Sequence, residues 1–217
     1  MVRLLSYEGG RAVVLFKEIN MAAIAVNSII IILELIGCCI SIIGTRGSSL
    51  IYYTVLSNLL GLVSSCCYVV SALRGEIPRW VTMLRYCSAV CLTVTFLVVI
   101  FVLVPMALPY GTAGDILYKG AQIYHHILCP ILTFVSFVFL EGGEKLSAVH
   151  ILIAAAPTLA YAVVTIILNL LKVIHGPYPF LHVYEQPWFM SVIWFTVIVG
   201  SSAGIAAVCR VLRDKFI

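Results

Sequence analysis

Six apolar segments follow one another along the chain, each long enough to cross a bilayer. They run near Asn20–Ile43, Ser49–Leu73, Met83–Leu108, Leu117–Leu140, Ala148–Leu171 and Pro187–Cys209. A spanning helix needs about 20 mostly apolar residues. The backbone polar groups of such a run must be satisfied internally, which selects helices. The expected fold class is therefore all-α: a polytopic membrane protein, a six-transmembrane-helix bundle forming one domain over residues 1–217. Composition agrees. The 217 residues are 63% hydrophobic and only 10% charged, whereas soluble domains are about 45–50% apolar and about 25% charged. No stretch is long or polar enough to fold separately in water. The breaks between segments carry turn signals, such as Gly44-Thr-Arg-Gly-Ser48, Arg74-Gly-Glu-Ile-Pro78 and Glu141-Gly-Gly-Glu-Lys145.

Six spans put both termini on one side, and the basic residues choose it. Arg3, Arg11, Lys17, Arg74, Arg79, Arg85, Lys145, Arg210, Arg213 and Lys215 fall on the terminal side, against Arg46, Lys119 and Lys172 on the other. Positive charge stays inside. Both termini are thus expected in the cytoplasm of a multi-pass protein of the cell membrane, with the loop 172–186 outside. The net charge of +4 is topological. No basic groove forms, and no nucleic-acid partner is expected. The stretch before Asn20 lacks the short apolar core and small-residue cleavage site of a secretory signal. No internal repeat of the kind that builds transporters stands out.

Polar groups inside spans are costly and mark function by default. Thr54, Ser57 and Asn58 follow i, i+3, i+4 spacing, so they share one face of the second span. The fourth span carries His125 and His126, which point about 100° apart around a helix. Glu34 is the one acidic residue deep in a span. At about 1.5 Å per residue, Thr54 lies roughly 8 Å below the outer boundary, and the histidines and Glu34 roughly 12–14 Å. Three helices thus bring polar groups to similar depth, which suggests a shared cavity in the outer half of the bundle. Histidine is the usual general base near neutral pH. Asn58 or Ser57 could stabilise an oxyanion near Thr54, and Glu34 could orient a histidine or relay a proton. The same residues could equally be glue between helices, as expected of Asn27, Thr93, Thr95 and Asn169. All eight cysteines lie in or beside apolar segments without a CxxC pair, as small packing residues do. No metal site and no cofactor are expected.

Three motifs carry a family resemblance. Tyr53-Thr54-x-x-Ser57-Asn58-Leu59, His126-x-x-x-Pro130 and Tyr178-Pro-Phe-Leu181 stand in this order over nearly the whole chain. In this the chain resembles the androgen-induced and androgen-dependent membrane hydrolases and their bacterial relatives. The resemblance implies an intramembrane threonine hydrolase. Animal members cleave fatty acid esters of hydroxy fatty acids with a membrane threonine and a membrane histidine. Carried over by motif, Thr54 is the nucleophile. The bacterial pattern selects His126 as the base and the animal pattern His125. The chain departs from the family at Ser136, where bacterial relatives often carry an acid, and at His182, where an acid commonly follows Tyr-Pro-Phe-Leu.

The leading expectation is a membrane esterase acting on a lipid or acyl ester. A small proton-coupled transporter or lipid-binding protein is the runner-up, in which Glu34 and a histidine would relay protons. A structural membrane subunit would do neither.

Overall fold

The computed structural model describes residues 2–8, 11–17 and 20–216. Strands β1 (Val2–Glu8) and β2 (Arg11–Lys17) pair antiparallel, Val2 opposite Lys17 and Glu8 opposite Arg11. From residue 20 onward every regular element described is helical. Among the described residues, five helices are long and apolar enough to cross a membrane: α1 (Met21–Gly44), α2 (Tyr53–Leu73), α3 (Arg79–Tyr110), α6 (Val149–Leu170) and α7 (Trp188–Phe216). Between α3 and α6 lie the short helix α4 (Ala113–Tyr118) and the apolar helix α5 (Tyr124–Leu140).

The segment expected as one span from Leu117 to Leu140 is therefore divided. Gly120 adopts a left-handed φ of 61°. That conformation is accessible to glycine and stops a helix. α4 ends before it, and α5 starts after it with the remaining apolar residues.

Side chains sort by face, with apolar groups outward. Ile32, Val63, Phe101, Leu152 and Val208 are exposed, while Glu34, Asn58, Arg85, His125 and Ser136 are buried. A water-soluble bundle is built the other way round. Trp80 and Trp188 stand exposed in the first turns of α3 and α7, where an aromatic belt would meet lipid headgroups.

α3 lies centrally, packed against α2, α5, α6 and α7. One cluster joins Tyr86 and Ala89 of α3 to Phe137 of α5, Ala154 of α6 and Ala206 of α7. Tyr86 stacks on Phe137 with ring centroids 5.3 Å apart and donates a 2.6 Å hydrogen bond to the Ala206 carbonyl. A second cluster, around Tyr178, Phe180 and Leu181, seats the loop before α7 on the ends of α3 and α6.

A buried polar layer crosses this core. Arg85 of α3 is 0% exposed and pairs with Glu141, just past α5, at 2.7 Å. Its remaining donors reach the Ser64 and Ser65 hydroxyls of α2. Glu141 also accepts from Asn27 at 3.0 Å and Ser136 at 2.7 Å. Arg85, counted among the charges flanking the membrane, is instead the hub of four helices. An arginine in the apolar run after Trp80 was the signal. The carboxylate beside Ser136 comes from Glu141, five residues along; the π-helical last turn of α5, Ser136–Leu140, precedes it.

Candidate functional site: a hydroxyl and imidazole cavity under the loop before α7

Thr54 sits in the first turn of α2, after the 3-10 turn Ser48–Ile51. Helix N-termini carry unpaired N–H groups and partial positive charge. At Thr54 both the backbone N–H and the side chain meet one partner, the Tyr178 hydroxyl, each at 3.2 Å. The Tyr178 oxygen accepts from the N–H, so its own hydrogen is available to the Thr54 oxygen. Tyr178 belongs to the loop between α6 and α7. It is packed edge-on against Tyr52 and stacked on Phe180, whose ring lies 5.5 Å from that of Trp194. Gly176 lets this loop close tightly: a Cβ there would stand 2.5 Å from the Leu181 carbonyl oxygen.

The histidines lie in a π-helical turn, Tyr124–Leu128, at the start of α5. Such turns offset the side chains that follow and gather at functional sites. Pro130, which has no N–H to give, lies just beyond it. The His126 Nδ1 lies 2.6 Å from the Ile116 carbonyl of α4. A carbonyl only accepts, so Nδ1 carries the proton and neutral His126 keeps a basic Nε2. His125 turns toward α1. Its Nε2 is 3.1 Å from the Ser41 hydroxyl, and its Nδ1 is 3.9 Å from Glu34 Oε2.

Thr54, His125, His126, Ser41 and Tyr178 all line one cavity of about 740 Å³, closed in part by Pro177 and Pro179 of the loop. That volume lies within the roughly 300–1,000 Å³ of small-molecule sites. On its other side Thr54 borders a narrow apolar slot with Val98, Phe180 and Trp194. Neither imidazole is hydrogen-bonded to the Thr54 hydroxyl, whose partner is Tyr178.

The other expected residues stand behind the cavity wall. The Asn58 amide donates to the Thr54 carbonyl at 2.7 Å and to the His125 carbonyl at 3.3 Å. It ties α2 to α5 instead of facing an oxyanion. Ser57 donates to the Thr54 carbonyl and meets Thr95 of α3 at 3.0 Å. Glu34 is 0% exposed, and both its oxygens lack a hydrogen-bond partner. Ser41 and Tyr178 were not among the expected site residues; Tyr178 stood only in the family motif before the last span.

Among the described residues, two groups of side chains have the chemistry to hold a metal: Glu34, Cys38 and His125 in the interior, and His175, His182 and Glu185 on the loop. In the loop, Glu185 accepts from His175 at 2.8 Å and from His182 at 2.9 Å. The hydrogen bond from His175, with a second from His182, holds the Glu185 carboxyl below its usual range.

Fold and site together describe a helical protein of membrane type, with a polar cavity walled by hydroxyl and imidazole groups. The chain matches no protein-family model, no curated protein and no solved structure.

Proposed function

We propose that this protein is an integral-membrane hydrolase that cleaves a lipid ester, of the kind formed by a fatty acid and a hydroxy fatty acid, with Thr54 as nucleophile. One observation carries the reading: Thr54 and His126 open onto the same cavity, one with a hydroxyl and the other with a basic nitrogen. A threonine hydroxyl needs a base to become a nucleophile. His126 Nε2 is that base, and the Ile116 carbonyl fixes its tautomer. In the first step Thr54 Oγ1 bonds to the acyl carbon while His126 takes the hydroxyl proton. The ester C–O bond then breaks, and the proton passes to the departing alkoxide. Water, activated by the same imidazole, releases the acid. Tyr178, hydrogen-bonded to both the N–H and the hydroxyl of Thr54, and the N-terminal end of α2 lie beside the attacking oxygen and fix its position. The motif resemblance to threonine hydrolases points the same way.

The proposed topology has α5 as the sixth span, both termini in the cytoplasm and the cavity in the outer leaflet. α5 covers about 25 Å at 1.5 Å per residue, the short end of spanning length. Reporter fusions at either terminus should be active only on the cytoplasmic side, and a cysteine placed at Lys172 should react with a membrane-impermeant maleimide. Proton-coupled transport is the weaker reading. Glu34, on which it would depend, is sealed behind His125 rather than set on the cavity wall.

The decisive test is hydrolysis of a long-chain acyl ester by the protein purified in detergent. Thr54→Ala should abolish turnover and His126→Ala should lower it at least a hundredfold, with His125→Ala far milder. Full activity in Thr54→Ala would overturn the nucleophile.

A further inference from the structure

Behind the cavity wall, α1 and α5 face each other with matched pairs of donors. Glu34 and Cys38 are four residues apart on α1, and His125 and Cys129 are four apart on α5. That spacing brings each pair to one face of its helix. One donor atom from each of Glu34, Cys38 and His125 lies within 4.8 Å of the others, and the Cys129 thiol lies beside the Glu34 carboxyl. All four residues are buried. Two glycines make the room. A Cβ at Gly61 of α2 would stand 2.7 Å from Glu34 Oε1, and one at Gly37 would stand 3.0 Å from the His125 ring.

The donors are also short of partners. Glu34 Oε1, Glu34 Oε2 and His125 Nδ1 are buried without a hydrogen bond. Unsatisfied groups of this kind cost about 1–3 kcal/mol each, and more when charged. A direct His125–Glu34 hydrogen bond would answer only Nδ1 and one carboxylate oxygen. It would leave the second oxygen to the weak Cys129 S–H donor and give Cys38 no role. The other ring nitrogen of His125 already meets Ser41 at 3.1 Å, the outer partner that a metal-bound imidazole characteristically has.

We propose that Glu34, Cys38 and His125 bind one zinc-class divalent cation that clamps α1 to α5, with the fourth position open to a water molecule. The mixed oxygen, sulfur and nitrogen set suits a borderline-soft tetrahedral ion. Charge balance favours it as well. Ionised Glu34 and Cys38 with neutral His125 carry a charge of −2, which a divalent cation cancels, and a neutral assembly is the one a low-dielectric interior tolerates. Binding releases the Glu34 and Cys38 protons to solvent through the cavity that His125 borders. Four-coordinate sites place donors about 3.3–3.8 Å apart, given metal–ligand distances of about 2.0–2.3 Å. The Glu34, Cys38 and His125 donors, within 4.8 Å of one another, would close by up to about 1–1.5 Å on binding. The clamp would hold the His125 ring against α1 and leave the His126 Nε2 as the free base on the cavity. It stands independently of ester hydrolysis.

The test uses the full-length protein in detergent, loaded with zinc or cobalt alone. Elemental analysis should find one equivalent per chain. X-ray absorption at the zinc edge of the unaltered protein should require sulfur at about 2.3 Å beside lighter donors at about 2.0–2.1 Å. The cobalt form should show sulfur-to-metal charge transfer and the intense visible bands of tetrahedral cobalt. Cys38→Ser should remove much of the charge transfer, and Cys209→Ser should leave it unchanged. The exposed loop group is the competing site, so His175→Ala with His182→Ala should leave the sulfur signature intact. A shell of nitrogen and oxygen alone, loss of the ion in the loop variant, or no stoichiometric binding would overturn the assignment.

Discussion

Arg85 is the residue whose loss would leave a charge uncompensated in the interior. It is fully buried, and removing it would strand Glu141 in the interior. Arg85→Met should destabilise the protein by about 3–5 kcal/mol, read from thermal or denaturant unfolding in detergent. Adding Glu141→Gln should recover a large part of that loss, because the partners form one network. Gly61 is a packing position of a different kind. Gly61→Ala would press a methyl group onto Glu34 and onto Leu92, 3.0 Å away, and should cost about 1–3 kcal/mol. In the cavity, Tyr178→Phe deletes the one hydroxyl bonded to Thr54. A hydrogen bond of about 1 kcal/mol corresponds to roughly a fivefold fall in turnover. It should appear in kcat more than in KM.

The helical elements were legible because their signal is local. Apolar length and flanking turns placed α1, α2, α6 and the start of α7 to within a few residues. α7 runs on to Phe216, past the expected end at Cys209, because Arg210 and Arg213 turn inward or along the helix and do not stop it. Arg213 lies over the Phe137 ring at 5.0 Å and donates to the Glu144 carbonyl. The π-helical turns were not legible, since the hydrophobic pattern of one turn does not distinguish a 3.6-residue period from a wider one. The loop before α7 has its own acid sensitivity. Glu185 has a lowered folded-state pKa, so its contribution is present above its ordinary value of 4.5 and is lost as pH falls through the lower folded value. Trp194 fluorescence, through its contact with Phe180, should report a loosened loop only in that acid range, and Glu185→Gln should remove the transition. A transition centred near about 6.5, the ordinary histidine value, would contradict the assignment to Glu185.

At the scale of the whole molecule, sequence alone determined an apolar helical bundle with polar groups on separate helices. These properties follow from composition and from rise per residue, and neither needs a neighbour. Only the tertiary structure decided which groups meet. A turn of about 100° per residue separates a side chain facing the cavity from one facing the next helix, so helix rotation and the π-helical turn settled what spacing left open. By that route His126 took the Ile116 carbonyl and the cavity, and His125 took Ser41 and Glu34. The same packing engaged Asn58 with two backbone carbonyls and delivered Tyr178 to Thr54 from 124 residues away. Contacts of that range depend on how several helices pack at once, and no local pattern in the chain encodes them.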